Sequence, residues 1–440
     1  MSAATPFGRP MREHFLFEPG NININHGSFG AFPKPVLDVL RSYQRQVEAN
    51  PDSFLRYEVP GLLDQSRQLL AKLLHVPDVD ELVIVPNATT GVNTVLRNLS
   101  YAPGDKIVYL STAYGACEKT IDHITETTPA EAVRIEVAYP MSDDELVTRF
   151  SRTLAEHAPV KVAMFDTVSS LPGVRIPFER LVEACRAAGV LSLIDGAHGV
   201  GCIPLDLGKL DADFFVSNCH KWLYVPRGCA VLHVPKRNQD LIRSSFPTSH
   251  GYVPVVRPGK VQINNPLPPS AKSRFVQMFE FVGTMDYAPY LCVPAALKFR
   301  QDVCGGEEAI INYCSHIAQE GAKRVATILG TEVMAIDQPC PLVNVRLPIE
   351  PPRDLTTAEA QQRISAVNAF VGKMTVREYK TFVPTIFHNG CWWARLSGQI
   401  YLTLDDFERV GRILRDICDR ASEASTSEQQ QQSRKNACRL

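Results

Sequence analysis

The chain has 440 residues, 46 Lys and Arg against 47 Asp and Glu, a net charge of -1 and 45% hydrophobic positions. At roughly 100 to 200 residues per domain this allows about two to four domains and excludes a small scaffold that depends on disulfides for its core. The balanced charge, without blocks of like sign, argues against nucleic acid or an anionic membrane surface as the main partner and favours a small or zwitterionic substrate.

The 12 cysteines stand singly from Cys117 to Cys438, with no C-x-x-C pair. That spacing predicts reduced thiols, with neither a metal site nor a disulfide framework. The N-terminus has no basic segment followed by an apolar one, and no apolar run reaches the roughly 18 residues of a membrane span. A cytoplasmic protein with no membrane contact is expected.

Residues 1–20 are mixed and Pro-containing and read as an arm before the first ordered motif, NININHGSFGAFPKPV, at Asn21 to Val36. Val36, Leu37, Val39, Leu40, Tyr43 and Val47 then recur at helical spacing. From about Asp64, helices alternate with short apolar runs at Leu82 to Val85, Lys106 to Leu110, Val133 to Val137, Val160 to Phe165, Val190 to Ile194, Phe214 to Val216 and Ala230 to Val234. Amphipathic segments such as Phe178 to Ala188 lie between them. The alternation predicts an α/β fold, a mainly parallel sheet flanked by helices, as a large domain over residues 21–289.

Pro254 to Ser270 is rich in Pro and Gly and predicts a long surface loop. Residues 290–420 predict a smaller α+β domain: helical to about Leu329, then strands at Leu342 to Leu347 and Ala394 to Thr403 around a helix near Thr357 to Phe370. The polar, low-complexity stretch 421–440 has little apolar surface to offset ordering entropy, so disorder is expected.

The segment LIDGAHGVGCIPLDLGKLDADFFVSNCHKWLYVPRG, Leu193 to Gly228, carries the clearest chemistry. Asp195 ends one buried run and Lys221 follows the next, at the sheet edge where ligands sit in parallel folds. A carboxylate that keeps a ring nitrogen protonated and a lysine that forms a Schiff base suit a pyridine aldehyde cofactor. Taken singly, an Asp there also caps a helix and a Lys there is also a solvated charge. PNATTGVN, Pro86 to Asn93, places small residues and Thr hydroxyls between a strand and a helix, where backbone N–H groups meet an anion or form a plain cap.

These segments resemble the class V aminotransferase-fold enzymes, which use pyridoxal 5'-phosphate (PLP) on the fold type I scaffold with a seven-stranded sheet, and within them the isopenicillin N epimerase-like branch. The resemblance covers roughly Asn21 to Thr403. It implies that Lys221, in Ser217-Asn218-Cys219-His220-Lys221, bonds the cofactor, that Asp195 pairs with the pyridine nitrogen, and that His198 lies near the phenolic oxygen. Ala88 and Thr89, with Ser217 and His220, would hold the phosphate. Tyr114, in STAYGACEKT, would stack on the ring. FVGTMDYAP, Phe281 to Pro289, resembles a segment that crosses a homodimer interface, with Gly283 and Thr284 reaching the partner's phosphate. Arg395, in WWARLSGQIYLT, matches an Arg-x-Ser pattern suited to a substrate carboxylate, and Asn25 and His26, in NHGSFG, match a loop that folds over the site.

In the chemistry so implied, an amino acid displaces Lys221 and the freed amine takes the α-proton. The outcome is then transamination, epimerisation, β-elimination or desulfuration. A desulfurase needs a mobile cysteine loop ahead of the Arg-x-Ser pattern, whereas Cys391 sits close to Arg395 beside Trp392 and Trp393 and reads as a packing thiol. NHGSFGAFP, NATTGVN and NCHKWLYVPRG are similar to carbon–sulfur lyases that cleave hercynylcysteine sulfoxide in ergothioneine biosynthesis. That similarity implies β-elimination to a sulfenic acid, later reduced to the thiol, with pyruvate and ammonia, and an amino acid epimerase as the alternative. Tyr114 is the candidate acid for the departing atom. Phe54, Tyr57, Trp392 and Trp393 are available to line a trimethylammonium group, with core packing the expected role of each taken singly. The final Cys438-Arg439-Leu440 resembles a relaxed peroxisomal signal.

Overall fold

The computed structural model describes residues 4–255, 268, 270–352 and 354–437. Most of the loop expected at Pro254 to Ser270, and the Cys438-Arg439-Leu440 tripeptide, lie outside the described residues.

Seven strands form the main sheet: β1 Leu82–Val85, β2 Lys106–Leu110, β3 Glu131–Ile135, β4 Val160–Asp166, β5 Leu191–Asp195, β6 Phe214–Asn218 and β7 Ala230–His233, in the order β1-β7-β6-β5-β4-β2-β3. Strands β2 to β6 are parallel, and β7 runs antiparallel to both β6 and β1. Helices cover both faces, which is why runs such as LVIV are apolar throughout. Side chains alternate between the covered faces: Val108, Leu110, Phe165, Ile194 and Phe215 join one core, and Ile107, Tyr109, Met164, Leu193 and Val216 the other. The expected α/β class and mainly parallel sheet are therefore present. Strand β3 begins earlier than its apolar run because its register is set by β2, with Glu131 opposite Lys106.

The second sheet has β8 Leu342–Arg346, β9 Thr385–His388 and β10 Cys391–Ser397, antiparallel in the order β8-β10-β9. The strand expected at Ala394 to Thr403 starts at Cys391 and ends at Ser397. A Cβ on Gly398 would lie 2.0 Å from the Cys314 carbonyl oxygen, so only glycine lets the chain pass the Glu307–Leu329 helix there. Strand β9 was not expected. It is joined to β10 by Asn389 and Gly390, both at positive φ (48° and 75°), as two-residue hairpins require.

Two other expectations change. The arm is packed: Met11 and Phe15 are buried in the core of the small domain together with Ile22, Ile24, Phe299 and Tyr401. The terminal helix, Leu404–Ala437, continues through most of the stretch expected to be disordered. That stretch has no Gly or Pro and is rich in Gln, Glu, Arg and Lys, so nothing local stops the helix. Among the described residues no helix is long and apolar enough to cross a membrane.

Candidate active site

The parallel strands place their chemistry at one edge. Strand β4 ends on Asp166, β5 on Asp195 and β6 on Asn218, while the chain beyond β1 reaches Ala88 and the chain beyond β2 reaches Tyr114. These residues line a cavity of about 550 Å³ that the small domain closes with Arg395 from β10 and with Phe382. The position is the one expected of a doubly wound sheet, whose carboxyl edge carries the ligands.

Lys221 lies on the one-turn helix Cys219–Trp222 that follows β6. Its Nζ stands 3.2 Å from His198 Nε2. Burial pulls its pKa down to about 8, against the opposing pull of Asp195. Asp195 accepts the Ala197 N–H at 3.0 Å and the Cys117 thiol at 3.4 Å. Burial raises the Asp195 carboxyl above the usual carboxylate range, and no ion pair to it exists among the described residues. A buried acid with weak donors and no cation suits a protonated ring nitrogen. Asp166, which the sequence reading missed, is a second buried carboxyl on the same wall, raised by burial and by Asp195.

The phosphate end is built on the Ala88–Asn98 helix, capped by Asn87, whose Oδ1 accepts the Thr90 N–H at 2.8 Å. The Ala88 N–H is already committed to Asn218 Oδ1 at 2.8 Å. Thr89, at the cavity wall, has no partner for its amide or hydroxyl among the described residues, and it remains the donor for an anion. His220 also lines the wall and donates Nδ1–H to the Cys229 carbonyl at 3.0 Å; burial lowers its pKa to about 4.

Ser217, expected at the phosphate, faces away. It donates to the Gly196 carbonyl and accepts the Val200 N–H at 2.9 Å, tying the chain after Asp195 to β6. Strand alternation explains the correction: Asn218, one position on, is the residue that faces the cavity. Thr284 is exposed and does not line the cavity of its own chain.

Arg395 is 2% exposed, yet no carboxylate pairs with it among the described residues. Its Nη1 donates to the Ser170 carbonyl at 2.7 Å, and its Nη2 to Asn25 Oδ1 at 2.7 Å and Ser28 Oγ at 2.8 Å, while its Nε has no partner. Burial lowers its pKa to about 10. A buried guanidinium held in place by neutral groups lacks only an anion, and its planar fork suits a carboxylate.

Asn25 and His26 stand behind the wall and do not line the cavity. Asn25 braces Arg395. His26 donates Nε2–H to the Lys221 carbonyl at 2.6 Å and accepts the Tyr401 hydroxyl at Nδ1 at 2.9 Å. Asn25 and His26 therefore hold the machinery in place from behind, while Ser28 and Phe29 of the same loop line the cavity.

Core packing, the expected role of the four aromatic residues singled out above, holds for three of them. Phe54, Trp392 and Trp393 are core residues, and Tyr57 is exposed away from the cavity. The wall instead carries Phe29, Tyr114 and Phe382, which are 69%, 50% and 40% exposed. The sequence offered one signal for Phe29, an aromatic flanked by glycine in the loop over the site.

Among the described residues, a buried amine, a buried acid, the unpartnered donors of Thr89 at a helix N-terminus and a guanidinium without a carboxylate fit a phosphorylated pyridine aldehyde and an amino acid together. The family profile for aminotransferase class-V matches residues 30–382. Over 95% of this chain and 97% of its own length, the L-cysteine desulfhydrase-like protein lolT1 of Epichloe uncinata is 39% identical. The hercynylcysteine sulfoxide lyase of Schizosaccharomyces pombe is 30% identical over 95% of this chain and its full length (100%). A solved complex of the cystine C-S lyase C-DES with its product cysteine persulfide superimposes with a TM-score of 0.72 at 20% identity, covering 90% of this chain and 98% of that one. The chain belongs to the aminotransferase class-V family, whose enzymes work with pyridoxal 5'-phosphate.

Proposed function

We propose that the protein is a carbon–sulfur lyase that performs β-elimination on a cysteine sulfoxide carrying a large cationic substituent, hercynylcysteine sulfoxide. The carrying observation is the cavity wall. Beside Lys221 and Arg395, which suffice for an amino acid head, it extends to three exposed aromatic rings with room for much more than the side chain of cysteine. Aromatic faces attract quaternary ammonium groups. The names of the two curated relatives, both sulfur enzymes, support the same reaction class.

Bound in this cavity, the cofactor would supply an aldehyde for the substrate nitrogen and an electron-withdrawing ring beside Cα. Arg395 holds the substrate carboxylate. Asp195 would keep the ring nitrogen protonated, and Thr89 with the Asn218 side-chain N–H would hold the phosphate, His220 adding a donor only when the phosphate's charge draws a second proton onto its ring. Lys221, uncharged once released, takes the Cα proton at Nζ. The Cβ–S bond then breaks with its electron pair leaving on sulfur, and Tyr114 gives a proton to the departing sulfenate. The three-carbon remainder is hydrolysed to pyruvate and ammonia.

No cysteine lines the cavity among the described residues, and Cys391 pairs in β10 opposite His388, which disfavours the desulfurase reading. The exposed Thr284 fits the proposed reach into a partner subunit, so the working unit is a homodimer in the cytoplasm. The test is incubation of the holoenzyme with hercynylcysteine sulfoxide and, separately, with L-cysteine. Pyruvate formed preferentially from the sulfoxide supports the proposal. Pyruvate and sulfide from cysteine alone point to a desulfhydrase, and α-proton exchange without pyruvate to an epimerase.

A further inference from the structure

Lys221 is the last member of a buried chain of three groups, with His198 in the middle. Trp222 Nε1 stands 3.1 Å from His198 Nδ1, and His198 Nε2 stands 3.2 Å from Lys221 Nζ. An indole nitrogen can only donate. His198 Nδ1 must therefore be the unprotonated nitrogen, because a proton there would set two donors against each other in a dry site. The single proton of the neutral ring is then on Nε2, and it faces Lys221.

The surroundings leave this arrangement little freedom. Trp222 and His198 are 1% and 2% exposed. The Trp222 carbonyl accepts Arg300 Nη1 at 2.8 Å, so backbone and indole are both fixed. Gly27 presses on the pair: a Cβ at that position would lie 3.2 Å from His198 Cε1 and 3.3 Å from Trp222 Cζ2. A second proton on His198 is opposed by burial and by the nearby charges of Lys221 and Arg395 and by His26.

We propose that Trp222 is a positioning residue: its indole N–H locks His198 in the Nε2-protonated tautomer, so that His198 always presents a donor, never an acceptor, to the nitrogen of Lys221. A donor facing Nζ favours the form of that nitrogen with a lone pair. Without the indole N–H the ring is free to adopt the other tautomer, its Nε2 then accepts, and the proton affinity of Nζ rises. The other groups acting on Nζ are Asp195 on β5, Asp166 on β4, Arg395 on β10 and Cys202, and none of them changes when the indole does.

Two measurements test this, and neither needs a substrate, so they stand apart from the identity of the reaction. In wild-type protein labelled with ¹⁵N-histidine, His198 is expected with an unprotonated Nδ1 and a protonated Nε2; the opposite tautomer overturns the proposal. In Trp222→Phe holoenzyme, which keeps a ring in place, the absorbance transition of the lysine-linked cofactor is expected to move up by about one pH unit, tenfold in proton affinity. In a His198→Gln background, where no tautomer exists, the same Trp222→Phe change is expected to leave the transition where His198→Gln alone puts it. An equal shift in both backgrounds, or none with His198 intact, overturns it. Should Trp222→Phe fail to fold, the ¹⁵N assignment alone decides.

Discussion

Asp166 and Asp195 are register partners at the ends of β4 and β5, each 4% exposed, and among the described residues only Asp195 has hydrogen-bond donors on its carboxylate. Two neighbouring carboxylates in a dry site do not readily ionise together. The charge settles on the one with donors, so Asp195 would meet a bound pyridine as an anion while Asp166 keeps its proton. This asymmetry lets one wall offer both a counter-ion and a neutral acid.

The pair makes the cofactor-free protein sensitive to pH. Both carboxyls are raised on folding, so the folded chain binds these protons more tightly than the unfolded one. Their contribution to stability is complete below the ordinary carboxylate pKa of about 4 and is lost as pH rises through the raised values. Asp166→Asn should remove part of that loss. In urea titrations of apo-protein the variant should match wild type near pH 4 and exceed it by on the order of 1 kcal/mol at pH 8. A difference that does not grow with pH would refute the assignment.

The sequence made the sheet legible because each buried strand is a short apolar run between amphipathic helices, and Lys221 and Asp195 because motif residues at strand ends converge wherever strands are parallel; Arg395, inside antiparallel β10, was marked only by its Arg-x-Ser pattern. What it hid was direction. Ser217 and Asn218 are adjacent, and only the register of β6 decides which faces the cavity. Asn25 and His26 were found as site residues, but their contact with Arg395 and Lys221, rather than with a ligand, depends on packing between distant segments. Asp166 ends an apolar run just as Asp195 does, and no motif marked it. The β9–β10 hairpin carried its own Asn-Gly signal, but the single exposed face of a small sheet gave a weak strand pattern around it.

Helix packing sets the phosphate end. A Cβ on Gly91 would lie 2.5 Å from Val216 Cγ1, so Gly91→Ala should push the Ala88–Asn98 helix off β6 and displace Thr89. Cofactor affinity, read by equilibrium dialysis, should fall about tenfold, equivalent to roughly 1.4 kcal/mol. Adding Val216→Ala removes the obstructing methyls and should restore most of the loss. If the double variant binds no better than the single one, the contact is not what fixes Thr89.

The lowered pKa of Lys221 governs loading of the cofactor. The apo-protein's amine reacts only when uncharged, so the rate of reconstitution at fixed cofactor should rise with pH and level off above about 8. Without burial, the rise would continue toward the ordinary lysine value of about 10.4. Stopped-flow absorbance between about pH 6 and pH 10, which brackets both values, separates the two. Asp195→Asn removes the anion that raises Lys221, so its midpoint should fall.

Substrate recognition divides between two ends of the cavity, and kinetics can separate them. Arg395→Lys keeps the charge but loses the planar fork, so KM should rise about 100-fold for any amino acid substrate, in line with loss of roughly 2–3 kcal/mol from a charged hydrogen-bonded pair. Phe382→Ala touches only the outer wall. It should raise KM for the trimethylammonium substrate by about 5- to 30-fold, the range of a desolvated cation–aromatic contact, and leave a neutral S-alkyl cysteine sulfoxide of similar length nearly unchanged. Equal effects on the two substrates would mean that Phe382 acts by shape alone and that the outer wall does not select a cation.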